Sequence, residues 1–178
     1  MKKTSYFLSV ISVLGLFTAC TKKTNNDTVI TAQVNMEHQM LNFANTKTDV
    51  NPKSGKFCSS VDSISRFAAG YSYVIPDSLK DKNLTIYING WVREQALPME
   101  GTITVAISTS KGVANWSEVK VKNATAQPNT WVEIKDSLTF SSSLYKDSFA
   151  EISVFGQKFT GKDRFDLDDL DIKYKFFK

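Results

Sequence analysis

The segment DRFDLDDLDIKY, residues 163–174, packs five aspartates (Asp163, Asp166, Asp168, Asp169 and Asp171) into nine positions. Carboxylates at this density suit three roles. A pair could serve as acid and base across a glycosidic bond, which needs a separation of roughly 5–9.5 Å at a cleft. A group could hold calcium, which takes about six to eight hard oxygen ligands. Or the run could be the solvated end of a strand. An EF-hand is excluded: counting from Asp166, the third position is Asp168, but the fifth is Leu170 and the sixth is Asp171 where that loop requires glycine. Other catalytic chemistry is thin. The chain has a single histidine, His38, and it carries no G-x-S-x-G, H-E-x-x-H, paired Cys/His or phosphate-loop pattern. With 18 acidic residues, some carboxylate pair falls at glycosidase spacing in any fold, so the chain reads as non-catalytic.

The elements that must position these residues are strands. From residue 29 onward the only helix candidate is MEHQMLNFA, 36–44, and what recurs are short runs of period two separated by Asn, Asp, Gly, Pro and Ser. They fall at about 29–34, 56–62, 66–76, 83–93, 101–108, 116–122, 129–140, 148–157 and 165–177. Nine strands in this length predict an all-β, antiparallel β-sandwich or small barrel. In LTIYINGWVR, Leu84, Ile86, Ile88, Gly90 and Val92 share the inner face, leaving Tyr87, Asn89, Trp91 and Arg93 outward as the leading ligand-binding set. Rings stack on sugars while amide and guanidinium groups bond hydroxyls. Trp116 is expected to add a platform, Tyr71 or Tyr73 a neighbouring one, and Trp131 is assigned to packing. In the last strand, alternation predicts Asp166 and Asp168 in line with Leu170, Ile172, Tyr174 and Phe176, with Asp169 and Asp171 opposite and the acidic half in water.

The N-terminus supplies an address. MKKTS is a positive start, and YFLSVISVLGLF is an apolar stretch shorter than the ~20 residues that span a bilayer. It closes on FTAC, which resembles the lipobox of bacterial lipoproteins despite Phe17 in place of the usual Leu. That resemblance implies a leader over 1–19, a diacylated Cys20, a polar tether over 20–28 and one domain over 29–178. It also implies lipid anchoring at the outer membrane, with the Lys-rich tether favouring the periplasmic face. Cys58 then has no partner and is expected to be a buried, inert strand residue. Losing Lys2 and Lys3 with the leader leaves charge near neutral without a basic cluster, which excludes nucleic acid as a partner.

The order of NMEH (35–38), NPKSGKFCSSV (51–61), LTIYINGWVR, NTWVEIKDSLTF (129–140) and RFDLDDLDI (164–172) resembles the galactose-binding-like jelly rolls, especially carbohydrate-binding modules of families 4, 9 and 22. The resemblance implies a structural calcium held by Glu37 and by Asp169 or Asp168, with carbonyls near Ser54 and Lys56. It also implies a glycan on a concave sheet face. Two functions are therefore expected: a non-catalytic glycan-binding lipoprotein, or an envelope lipoprotein whose sandwich docks another protein.

Overall fold

The computed structural model describes residues 22–24, 27–34, 36–37, 47–48, 50–62, 66–97, 99–120, 127–146, 149–159 and 163–178. The leader, Cys20, His38 and all of the helix candidate beyond Met36 and Glu37 lie outside them. Among the described residues, eleven strands run in chain order: β1 (Lys22–Thr24), β2 (Asp27–Val34), β3 (Lys47–Thr48), β4 (Cys58–Val61), β5 (Phe67–Val74), β6 (Asn83–Glu94), β7 (Thr102–Thr109), β8 (Gly112–Lys120), β9 (Val132–Phe140), β10 (Ala150–Gln157) and β11 (Phe165–Phe177). Within the stretch expected to be a tether, Lys22–Thr24 and Asp27–Thr28 are strand residues.

The strands form two antiparallel sheets packed as a sandwich of jelly-roll type. In the first, β11 is the spine. It pairs along its length with β6, which pairs with β9; its other edge is shared, with β4 on residues 165–167 and β2 on residues 170–176. The second sheet runs β5-β10-β7-β8. Period-two alternation sends Leu84, Ile86, Ile88 and Val92 of β6 inward to meet Ile103, Val105 and Ile107 of β7 and Ile152 and Val154 of β10. Each such side chain, fully buried, contributes about 1.5–3 kcal/mol.

Tyr71 and Tyr73 also face inward and pack against the core, Tyr73 stacked on Tyr174 with centroids 5.3 Å apart. They cannot serve as the ligand platform expected of them, because β5 pairs Tyr71 and Tyr73 with the inward Val154 and Ile152.

β11 departs from its expected alternation. Its register against β6 slips by one residue between Asp168 and Asp171, and Asp169 adopts φ +46°. One inserted residue reverses the side to which later side chains point. Phe165 and Leu167 face the core before the bulge, and Leu170, Ile172, Tyr174 and Phe176 face it afterwards. Asp166 and Asp168 are consequently not in line with Leu170 and Ile172, and they are buried on the outward face, 1% and 2% exposed. Only Asp169 and Asp171 among the strand's aspartates are exposed.

Candidate functional site

The outward face of the first sheet carries four of the expected ligand residues, paired one by one along the spine: Asp166 with Arg93, Asp168 with Trp91, Asp171 with Asn89, Lys173 with Tyr87. At its upper half this face is occupied by the chain itself. Arg93 is buried, and its Nε and Nη2 donate to Asp166 Oδ2 at 2.9 and 2.6 Å. Its Nη1 and Nη2 donate to the carbonyls of Asn51 and Val50 at 2.7 and 2.8 Å. Arg164 approaches the same carboxylate, Nε to Oδ1 at 2.7 Å, and Ser60 donates to it as well. Three rings on this side each meet a cation: Lys53 lies 3.8 Å from the Trp91 centroid, the Arg93 guanidinium carbon 4.6 Å from Trp131, and Lys173 Nζ 5.5 Å from Tyr87. Arg93 is therefore fully engaged within the protein and Trp91 is capped. Tyr87 stays exposed, and the buried Asn89 Oδ1 has no partner among the described residues.

The loop between β3 and β4 closes over this half, and the residues expected to hold calcium grip it. Glu37 Oε1 accepts the N–H groups of Lys56 and Phe57 at 2.7 and 2.9 Å. Asp168 Oδ2 accepts those of Lys53 and Ser54 at 2.9 and 3.3 Å, and Asp169 Oδ1 accepts the Ser54 hydroxyl at 2.8 Å. Gly55 sits at φ +59°, and a Cβ there would overlap the Glu37 carboxylate. Burial pushes the Asp168 carboxyl above its usual range, although the N–H groups of Ser54, Asp169 and Lys53 act the other way. The donors at this loop are hard oxygens, the chemistry calcium takes. Among the described residues, no group of three or more His, Cys, Asp or Glu side chains could hold a metal ion. Cys58, on the same face, is buried and unpaired among the described residues; burial first, then the charge of Asp166, pushes its thiol up to about 12.

Trp116 is on the other side of the molecule. It belongs to β8, and register places it on the outward face of the second sheet beside Ala106, Ser153 and Ser72. That face bears a row of rings that sequence reasoning missed. Phe159 meets Phe67 edge to face with centroids 6.1 Å apart, Phe67 meets Phe155 at 5.6 Å, and Trp116 meets Phe155 at 5.7 Å. Phe155 is buried, whereas Phe67, Trp116 and Phe159 are 43%, 43% and 50% exposed. Gly70 makes room for the row, since a Cβ there would lie 2.6 Å from that of Phe155. The outward parity of Phe155 in SFAEISVF was the available signal. Phe67 and Phe159 lie at strand ends where alternation is silent.

Polar groups accompany the rings. Ser72 and Ser153 share a hydroxyl hydrogen bond of 2.9 Å. Gln157 Nε2 donates to Glu118 Oε1 at 3.2 Å, reaching across β7. Beside that pair, the buried Thr102 Oγ1, Thr104 Oγ1 and Gln157 Oε1 lack any partner among the described residues. Unpaired buried polar atoms are rare and cost about 1–3 kcal/mol each.

The fold and its faces define an antiparallel β-sandwich that covers Trp91 and Arg93 of one sheet with its own loop and leaves Tyr87 there, and Phe67 and Trp116 on the other sheet, partly in water. No protein-family model and no curated protein matches the chain. Among solved structures it is similar to the xylan-binding family 22 carbohydrate-binding domain from Paenibacillus barcinonensis, at 15% identity over 74% of this chain and 80% of that one, TM-score 0.43. It is also similar to a cyclase from Fischerella sp. TAU, at 12% identity over 88% and 80%, TM-score 0.40. A third similarity is to an infectious bursal disease virus structure, at 8% identity over 83% of this chain and 32% of that one, TM-score 0.43.

Proposed function

We propose that the chain is a non-catalytic glycan-binding lipoprotein whose ligand face is the outward side of the second sheet. The observation that carries this reading is the row Phe159–Phe67–Phe155–Trp116, with three rings about half exposed beside hydroxyl, amide and carboxylate groups. Exposed apolar area of this kind marks binding surfaces, and rings interleaved with hydrogen-bonding groups suit sugars. Affinity electrophoresis of the full chain in detergent, on gels cast with plant and microbial polysaccharides, tests it. Trp116→Ala is expected to abolish retardation and Trp91→Ala to preserve it. Retardation that depends on Trp91 and ignores Trp116 would move the site back to the first sheet.

The same exposed rings favour one second reading, protein docking in the cell envelope. Retardation on no polysaccharide, together with a Trp116-dependent envelope cross-link, would establish it. The anchor is read from the lipobox: acylated Cys20 holds the domain on the outer membrane, periplasmic side, and Cys20→Ala is expected to release it into the soluble fraction. Calcium is read at the Lys53–Phe57 loop, held by Glu37 and Asp169 with Asp168 beside them. Removing it with a chelator is expected to lower the melting temperature, because a ligand of the native state alone stabilises that state.

A further inference from the structure

Resting on the glycan reading of the second sheet, we infer that Thr102, Thr104, Gln157 and Glu118 form a polar specificity subsite for the hydroxyl groups of an uncharged sugar residue. Thr102 and Thr104 lie two apart on β7, Gln157 stands opposite Thr102 on β10, and Glu118 stands opposite Thr104 on β8. The four side chains therefore share one patch, one strand spacing to either side of β7. Thr104 is also paired with Phe155, so the patch adjoins the aromatic row.

Three oxygens in this patch have no partner among the described residues, although their own residues are 6%, 0% and 1% exposed. Two of them are hydroxyls, able to donate and accept; the third, Gln157 Oε1, accepts only. The Gln157 amide orientation is fixed by its neighbour, because turning it would set oxygen against the Glu118 carboxylate. The amide–carboxylate bond that spans β7 is long at 3.2 Å and joins two flexible side chains. A sugar hydroxyl entering beneath it donates to Gln157 Oε1 or Glu118 and accepts from a threonine hydroxyl, giving partners to atoms that have none. The carboxylate selects against acidic sugars. Stacking on Trp116 and Phe67 holds the ring, and the patch reads its hydroxyls.

Thr104→Val is the discriminating substitution, since it keeps the shape and removes the hydroxyl. A hydroxyl that is structural loses stability when deleted; one kept unpaired for a ligand does not. Wild type, Trp116→Ala, Thr104→Val and Gln157→Leu are compared as full chains in detergent, by thermal melting and in gels containing β-glucan, xylan, mannan or polygalacturonate. Thr104→Val is expected to melt at or above wild type and to bind about tenfold more weakly to the neutral polysaccharide that Trp116 recognises. Gln157→Leu is expected to weaken the same binding. Wild-type retardation by both variants, or a Thr104→Val melt lowered by about 2–4 °C or more, overturns the subsite while leaving the aromatic face standing. Trp116-dependent retardation on polygalacturonate alone overturns the uncharged ligand and leaves the glycan reading intact. Retardation on none of the four overturns both.

Discussion

Replacing Arg93 with methionine should unfold the protein more readily than any change among the exposed lysines. The guanidinium is 7% exposed and its partner carboxylate 2%, so neither charge is screened by water. Removing one member of a buried pair costs about 3–5 kcal/mol. The lower end applies here, because Arg164 and Ser60 remain on Asp166. The carbonyls of Val50 and Asn51 also lose the Arg93 N–H groups, but Arg164 Nη2 still donates to Val50 and Trp131 Nε1 to Asn51, and both residues are exposed to water. Methionine retains packing against Trp131 and loses the cation. The sum is about 3–4 kcal/mol, and at about 2–4 °C per kcal/mol for a domain of this size the melt should fall by about 6–16 °C. Circular dichroism melts and urea titration of Arg93→Met against Lys53→Ala provide the measurement. Lys53 is exposed over Trp91 and should shift the midpoint little. An Arg93→Met melt within 2 °C of wild type, which is less than ~1 kcal/mol, would show that the Arg93–Asp166 network does not hold the loop over this face.

The remaining predictions follow from single groups. Asp168, raised by burial, holds its proton more tightly folded than unfolded, so its ionisation weakens the fold as pH rises through the folded value. In chelator, the stability of Asp168→Asn relative to wild type should therefore improve as pH rises above the ordinary carboxylate range; a gap that moves the other way refutes the burial argument. Cys58 should ignore a thiol reagent at pH 8 until denaturant is added, because burial keeps its thiol protonated. Gly70→Ala should cost about 1–3 kcal/mol, since its Cβ has to displace either the Val154 carbonyl or Phe155. A crystal structure of that variant with both the Val154 carbonyl and Phe155 unmoved would contradict this account of the aromatic row.

The architecture was largely legible because it depends on period-two alternation, which short polar turns interrupt cleanly. All nine expected strands are present. β8 starts at Gly112, ahead of the expected 116, because GVAN carries no alternation. β1 and β3 were missed for a related reason: KKT and KT contain nothing apolar to place on a face. Site residues fared differently. Arg93 was correctly set outward, yet parity cannot reveal that the Val50–Phe57 loop folds back to supply its carbonyl partners. Trp116 was named, while Phe67 and Phe159, its companions across the sheet, sit at strand ends. The aromatic row arises from diagonal neighbours on different strands, and no linear pattern records diagonals.

The acidic run itself held a signal that decides its role. Phe165 and Leu167 are odd-numbered; Leu170, Ile172, Tyr174 and Phe176 are even. If all six face one core, the strand must gain a residue between 167 and 170, and aspartate is among the residues that tolerate the left-handed conformation such a bulge needs. Asp169 takes that place at φ +46°. The insertion sorts the aspartates physically. Asp166 and Asp168, before it, point outward beneath the folded-back loop and are buried against Arg93 and the loop's N–H groups. Asp169, at it, reaches the Ser54 hydroxyl. Asp171, beyond it, is in water. Like charges crowd this strand because a single bulge sends them to three different environments, and two of those environments close the loop.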